Sequence, residues 1–188
     1  MEDKCEYIES IYGKEYFPDI QKVLDLLNDK EDTVRIEMVE ACYAVKQEKI
    51  RIELWKRFRM TKGLEKGYLM LTLTYIYMNE PENIVDILVQ YTNSDDDIEK
   101  LDAYVGLVLL GKKNFFMEIL RFFDHSSYQI RSRTCNSLSE LLYEKKISED
   151  NLALLKEAVF TLEKKEKTRA VKSSIERLLF EIKQYKSS

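Results

Sequence analysis

Few residues of this chain have the types and spacing that catalysis requires. His125 is the only histidine, and it lies in the segment DHSS, where a turn between two helices is predicted. A nucleophilic triad would have to use this histidine, but the sequence has no Gly-x-Ser-x-Gly turn. Gly63 and Gly67 precede no Gly-Lys-Ser/Thr, so they do not form a phosphate-binding loop. The sequence therefore predicts that the protein is not an enzyme.

The cysteines and the acidic residues do not suggest a metal site. Cys5, Cys42 and Cys135 are an odd number of cysteines without a close pair, which argues against a disulfide framework and against zinc. The three aspartates at 95–97 lack the alternating carboxylates, the central Gly and the distal Glu of a calcium hand. At the start of a helix, such acids interact favourably with the helix dipole. No cofactor is predicted.

The charge of the chain favours a basic protein as partner. The net charge is −4, so the chain as a whole repels phosphate backbones, and nucleic acid is disfavoured. The basic residues between Lys164 and Lys172 are interleaved with Glu163 and Glu166, and no Arg/Lys stripe is visible. The amino-terminal segment lacks the layout of a secretory signal, and no apolar run approaches the ~18 residues of a transmembrane helix. These features predict a cytoplasmic protein without a membrane partner.

A pattern of apolar residues recurs along the chain and predicts helices. Five segments carry it: 32–45, 65–77, 97–110, 129–142 and 170–182. Their anchor residues are Val34, Lys66, Ile98, Ile130 and Val171, of which the first four are spaced by 32 residues and the last by 41. Residues 4, 7, 8 and 11 positions after each anchor share its face of a helix. They are mostly small or apolar, and Asp102 is the exception.

Shorter amphipathic segments alternate with these five. They are 19–29, 49–58, 82–91, 114–123 and 152–162. Together with a helix near residues 2–12, they predict five helix pairs and an amino-terminal capping helix in one domain over residues 1–188. In the second short segment, Trp55 is predicted to lie in the core, on the apolar side of its helix with Ile52 and Phe58.

Two of the five units resemble a known family of helical repeats. The segment Asp-Thr-Val-Arg at 32–35, followed by Ala41, is similar to the start of the second helix of HEAT repeats. The pair Ile130-Arg131 within SSYQIRSRTCNSLSELL resembles it too, whereas Lys66 and Glu99 depart from the pattern. The resemblance implies a right-handed α-solenoid of about five HEAT-like pairs, whose second helices line a concave surface. Armadillo-like and other helical-hairpin solenoids remain open.

The face of the second helices opposite the anchors is the candidate binding surface. Residues 2, 6, 9 and 13 positions after each anchor project from it, and tyrosines recur there in four successive units. Tyrosine offers a large contact area and a hydroxyl at low entropic cost, as protein-recognition surfaces require. The alternative is that these tyrosines pack between helices with satisfied hydroxyls. The candidate protein-binding residues are Tyr43, Tyr68, Tyr75, Asn79, Lys100, Tyr104, Asn136 and Tyr143.

These features predict a monomeric, non-catalytic protein-binding scaffold. In size and acidity the chain resembles bacterial toxin-immunity proteins and antitoxins, which implies a basic, nuclease-type toxin domain as the partner. One alternative is a HEAT-like nucleic-acid-binding or DNA-base excision enzyme. Another is a structural subunit that assembles with copies of itself.

Overall fold

The computed structural model describes residues 2–185, with side chains from residue 4 onward. The described part of the chain is 75% helix, with eleven α-helices and no strand, which confirms the prediction of an all-α protein. None of the described helices is long and apolar enough to cross a membrane.

The helices follow the predicted segments along the chain. They are α1 Glu2–Ile11, α2 Ile20–Leu27, α3 Asp32–Ala41, α4 Glu48–Met60, α5 Gly63–Ile76, α6 Val85–Tyr91, α7 Asp97–Leu109, α8 Phe116–Arg121, α9 Tyr128–Tyr143, α10 Glu149–Lys165 and α11 Arg169–Gln184. Three 3₁₀ turns lie at Pro81–Asn83, Lys113–Phe115 and Phe122–Asp124. The chain divides within α7 into two compact units, one ending at Ala103 and the other beginning at Tyr104.

In the first unit the helices pack in two layers. Helix α3 lies between α1 and α5 in one layer, while α2 packs against α4 in the other. The consecutive helices α2 and α3 pack together, as do α4 and α5. Val39, Leu54 and Leu69 are fully buried in the core between the layers. Each helix buries one apolar face, because residues three and four apart lie on the same side of a helix.

In the second unit α9 and α11 form the most extensive helix pair. Helix α10 packs against α11. It also contacts α8 and the 3₁₀ turn Phe122–Asp124, which follows α8. Leu138 of α9, Leu155 of α10 and Leu178 of α11 are fully buried. Cys135 and Ser137 are also buried on α9, and small side chains allow neighbouring helix axes to approach closely.

The structure confirms that the helices with the anchor pattern, α3, α5, α7, α9 and α11, bury the face that carries it. The residues at the four offsets from each anchor are buried, except Tyr77 and Leu179, which are half-buried. Asp102, the polar exception, is fully buried. Its carboxylate lies against Gly67, where an added Cβ would be 1.9 Å from Oδ2. Gly67 therefore provides the space that this buried acid occupies.

Arg35 of α3 links the turn before α3 to the first turn of α5. Its guanidinium donates to the carbonyl of Asp29, six residues upstream, at 2.7 Å. It also donates from Nε and Nη2 to Oε2 of Glu65, at 3.2 and 3.1 Å. The other carboxylate oxygen of Glu65 accepts from Arg57 Nε at 2.9 Å. All three side chains are largely buried, so this network ties α3, α4 and α5 together.

Arg131 makes the same kinds of contact in the second unit. It donates to the carbonyl of His125, again six residues upstream, at 2.8 Å. Its Nε and Nη2 donate to the two carboxylate oxygens of Glu166, at 2.7 and 3.1 Å. Glu166 also accepts from the backbone N–H groups of Lys167 and Thr168, at 2.9 and 2.8 Å. These donors, with Arg131 the largest contributor, lower the pKa of Glu166 to about 2.

Helices α7 and α9 are each followed, two residues after their last residue, by a residue with left-handed backbone. After α7 this residue is Gly111, with φ of 82°, and after α9 it is Lys145, with φ of 54°. In both cases the next N–H donates to a carbonyl five residues back: Lys112 to Leu107 and Lys146 to Leu141, each at 2.9 Å. Lys145 thus occupies a position that favours glycine.

Candidate protein-binding surface

Three tyrosines from successive helices of one layer lie side by side in the first unit. Tyr12 follows α1, Tyr43 follows α3, and Tyr75 lies in the last turn of α5. The ring centroids are 5.6 Å apart for Tyr12 and Tyr43, and 5.9 Å apart for Tyr43 and Tyr75. Tyr12 is 57% exposed and Tyr43 is 37% exposed, whereas Tyr75 is half-buried. We call these three residues the tyrosine cluster.

The loops that carry the cluster are fixed by hydrogen bonds. The side-chain amide of Gln47 accepts from the backbone N–H of Phe17 at 2.7 Å and donates to its carbonyl at 3.0 Å. Gly13 has φ of 70°, and a Cβ there would be 2.5 Å from the Tyr43 hydroxyl. Its N–H donates to the Ala41 carbonyl at 3.2 Å. The cluster is therefore held in place before any partner binds, which lowers the entropic cost of binding.

Two glutamates precede tyrosines of the cluster by one helical turn. Glu9 lies one helical turn before Tyr12, and Glu40 lies one turn before Tyr43, so each acid is on the same side of the chain as its tyrosine. Glu9 is exposed and Glu40 is half-buried, whereas the exposed Glu37 accepts from the Cys5 thiol of α1. Aromatic faces attract cations, and carboxylates accept charge-assisted hydrogen bonds from Lys and Arg. The arrangement can bind basic side chains of another protein.

Three other predicted site residues, Tyr68, Asn79 and Lys100, belong to the first unit. Tyr68 is half-buried on α5, seven residues before Tyr75, and Asn79 is exposed just after this helix. Lys100 is half-buried on α7, with its Nζ 3.9 Å from Asp97 Oδ1. Tyr12 was not among the predicted site residues, because it precedes the first repeat anchor. Its position at the end of the predicted helix 2–12 is the only sequence signal for it.

Tyr104 in the second unit packs within an aromatic group. Its ring stacks on Phe115 with centroids 5.8 Å apart, and it contacts Phe122 at 6.3 Å. Burial raises the pKa of Tyr104, and the nearby Glu118 carboxylate adds to this effect. Tyr104 therefore packs against other side chains, as the alternative interpretation of the tyrosines expects. It has a structural role in addition to any contact with a partner.

Asn136 and Tyr143 are exposed on α9. Tyr143 is 80% exposed, at the end of the helix. It borders an open cavity of about 270 Å³, whose lining residues are Leu142, Tyr143, Lys145, Glu181, Gln184 and Tyr185. The side chains of Asn136 and Tyr143 are therefore accessible to a protein that binds the second unit.

The exposed face of α4 differs from the sequence prediction. The helix buries Ile50, Leu54 and Phe58, which are spaced by four residues. Ile52 points the other way and is 58% exposed, so the prediction that it lies on the apolar side is wrong. Residues two apart lie on different sides of a helix, and only one can face the core. Trp55 is half-buried at the edge, and its Nε1 donates to the Tyr77 hydroxyl at 3.1 Å.

The cysteine thiols are held in their protonated form. Burial raises the pKa of Cys42 far above its usual range and that of Cys135 to about 12. Burial and the nearby Glu37 carboxylate raise the pKa of Cys5. Residues 4–185, whose side chains are described, contain no group of three His, Cys, Asp or Glu that could hold a metal ion.

The chain has no match among known protein families, curated proteins or solved structures.

Proposed function

We propose that this protein is a non-catalytic scaffold of HEAT-like helix pairs that binds a basic protein through the surface around the tyrosine cluster. The packing of consecutive helices in pairs in the first unit, α2 with α3 and α4 with α5, supports the scaffold part of this proposal. Arg35 and Arg131 support it as well. Each of them binds a carbonyl six residues upstream and a carboxylate at or just before the next long helix, as repeated units would.

The tyrosine cluster carries the binding part of the proposal. It has two exposed rings, each one helical turn after a glutamate, Glu9 or Glu40, and hydrogen bonds order the loops around it. Aromatic residues are enriched in the energetically important centre of protein interfaces. The acidic surroundings favour a basic partner by charge complementarity, which also accelerates association. A basic nuclease-type toxin domain has the required charge, and blocking such a domain is the specific role that we propose.

The test begins with the intact chain as bait for proteins from its native host. The captured partner is purified, and its affinity is measured for the wild type, for Tyr43→Ala and for Tyr128→Ala. Tyr128 is the matched control, because it is 47% exposed but lies in the second unit. We expect Tyr43→Ala to weaken binding at least tenfold and the control to change it less than twofold.

Far-UV circular dichroism checks that both variants keep the fold. Added salt should weaken binding of the wild type, because the contribution of the carboxylates is electrostatic. Failure to capture a partner, or equal affinities of the two variants, would contradict the proposal.

A further inference from the structure

Helix α4 presents a basic and partly apolar face to solvent. Five exposed residues lie within about 100° of arc around the helix axis: Lys49, Ile52, Lys56, Arg59 and Met60. Glu48, which is exposed in the first turn, lies about 20° outside this arc. We call these five residues the α4 basic face. Met60 is 75% exposed and Ile52 is 58% exposed, so this face offers apolar side chains between its cations.

The cations of this face are only weakly neutralised. Within the described part of the chain, Lys49 and Arg59 make no ion pair, and Lys56 pairs with Glu53 across one turn at 3.2 Å. Glu53 is largely buried at the edge of the face and also accepts from Asn28. Residues 48–62 contain six Lys or Arg and two Glu, a net charge of +4 in a chain of net charge −4. Positive charge is therefore concentrated on one helix.

We propose that the α4 basic face docks on an anionic phospholipid surface, with the helix parallel to the plane of the bilayer. A helix that lies in the interface places Lys and Arg among the headgroups and apolar side chains at the acyl boundary. Ile52 and Met60 are two turns apart and lie on either side of Lys56. The α4 basic face thus has the alternation of cationic and apolar side chains that such a helix requires. A single-stranded nucleic acid would favour exposed aromatic rings for stacking, and the α4 basic face has none.

The docking that this face allows is weak and reversible. Each Lys or Arg near an anionic membrane increases binding about fivefold. The negative charges on the rest of the protein oppose binding only within a Debye length, about 8 Å at physiological ionic strength. Three basic residues and two apolar side chains thus produce binding that depends strongly on salt and on the content of anionic lipid. The α4 basic face differs in residues and in charge from the surface around the tyrosine cluster, so this proposal is independent of the proposed function.

The experiment is sedimentation of the full chain with vesicles of 70% phosphatidylcholine and 30% phosphatidylserine at low salt. We expect the wild type to bind these vesicles, to be released by high salt, and not to bind vesicles of phosphatidylcholine alone. The variant Lys49→Glu/Lys56→Glu/Arg59→Glu should bind at least a hundredfold more weakly, because three favourable charges are lost. Ile52→Ser/Met60→Ser keeps the charge, and it should also bind more weakly than the wild type.

A matched control reverses three exposed lysines elsewhere, Lys156, Lys164 and Lys172 on α10 and α11. This variant changes the net charge equally, so a loss of vesicle binding as large as that of the α4 variant would overturn the proposal. Absence of wild-type binding to the anionic vesicles would overturn it too. A parallel titration with a single-stranded DNA of 20 nucleotides tests the competing anion. Binding to this DNA without binding to vesicles would assign the α4 basic face to nucleic acid instead.

Discussion

The substitution Glu166→Gln tests the ion pair that anchors the start of α11. Glu166 is 7% exposed and accepts from Arg131 and from two backbone N–H groups. Its pKa is about 2 in the folded protein, against an ordinary value of 4.5. One pH unit between two pKa values corresponds to about 1.4 kcal/mol, so the ionised carboxylate stabilises the fold by at most about 3 kcal/mol.

The dependence on pH follows from the sign of this pKa change. Because the folded pKa is the lower one, the stabilisation is present above the unfolded pKa and is lost as the pH falls toward 2. By pH 3 about 2 kcal/mol of it is gone. The wild type should therefore exceed Glu166→Gln in free energy of unfolding by up to about 3 kcal/mol at pH 7, and by only about 1 kcal/mol at pH 3.

The assay is urea unfolding followed by far-UV circular dichroism at the two pH values. Glu163→Gln is the matched control, because Glu163 is an exposed glutamate in the last turn of α10, three residues before Glu166. We expect this control to follow the wild type at both pH values. The reasoning would be refuted by a difference between the wild type and Glu166→Gln that is the same at pH 7 and pH 3, or by an equal effect of the control.

Three further predictions concern backbone conformation, packing and thiol reactivity. Lys145→Gly should raise the free energy of unfolding by about 1 kcal/mol, because the left-handed backbone strains any residue with a Cβ, and Gly111→Lys should lower it by a similar amount in the same urea assay. Gly67→Ala should destabilise by more than about 2 kcal/mol, because its Cβ would collide with the Asp102 carboxylate, and an unchanged midpoint would contradict the packing. Of the three thiols, Cys5 should react first with Ellman's reagent and the two buried cysteines only on unfolding; equal rates in the folded protein would contradict their burial.

Helix positions were predictable because each helix has one face to bury. The anchor pattern locates α3, α5, α7, α9 and α11, since apolar residues at helical spacing satisfy burial without reference to distant parts of the chain. The same rule failed at Ile52, because the short segment IRIEL has three apolar residues, of which Ile50 and Leu54 lie on one side of the helix and Ile52 on the other. Which side faces the core depends on the packing of α4 against α2 and α5, which the spacing within α4 alone does not encode.

The candidate site was partly predictable. Tyr43 and Tyr75 share an offset in the repeat, and the structure brings their rings together. Tyr12 joins them through the packing of α1 against α3, which no periodicity encodes. The prediction of no membrane partner followed from the missing transmembrane segment and the mixed charges of the sequence. It could not anticipate that Lys49, Lys56 and Arg59 share an exposed helix face, because the side of α4 that is exposed is decided by its packing against α2 and α5.

The single tryptophan of the chain is an optical probe of one unit. Trp55 donates from its indole to the Tyr77 hydroxyl and has Phe58 edge-on at 5.6 Å, all within the first unit. Its emission reports the loss of this environment, whereas far-UV ellipticity reports helices of both units. Glu166→Gln weakens only the second unit. If the two units unfold cooperatively, this variant shifts the tryptophan transition together with the ellipticity. If they unfold separately, it shifts the ellipticity alone, so one substitution measures the thermodynamic coupling along the chain.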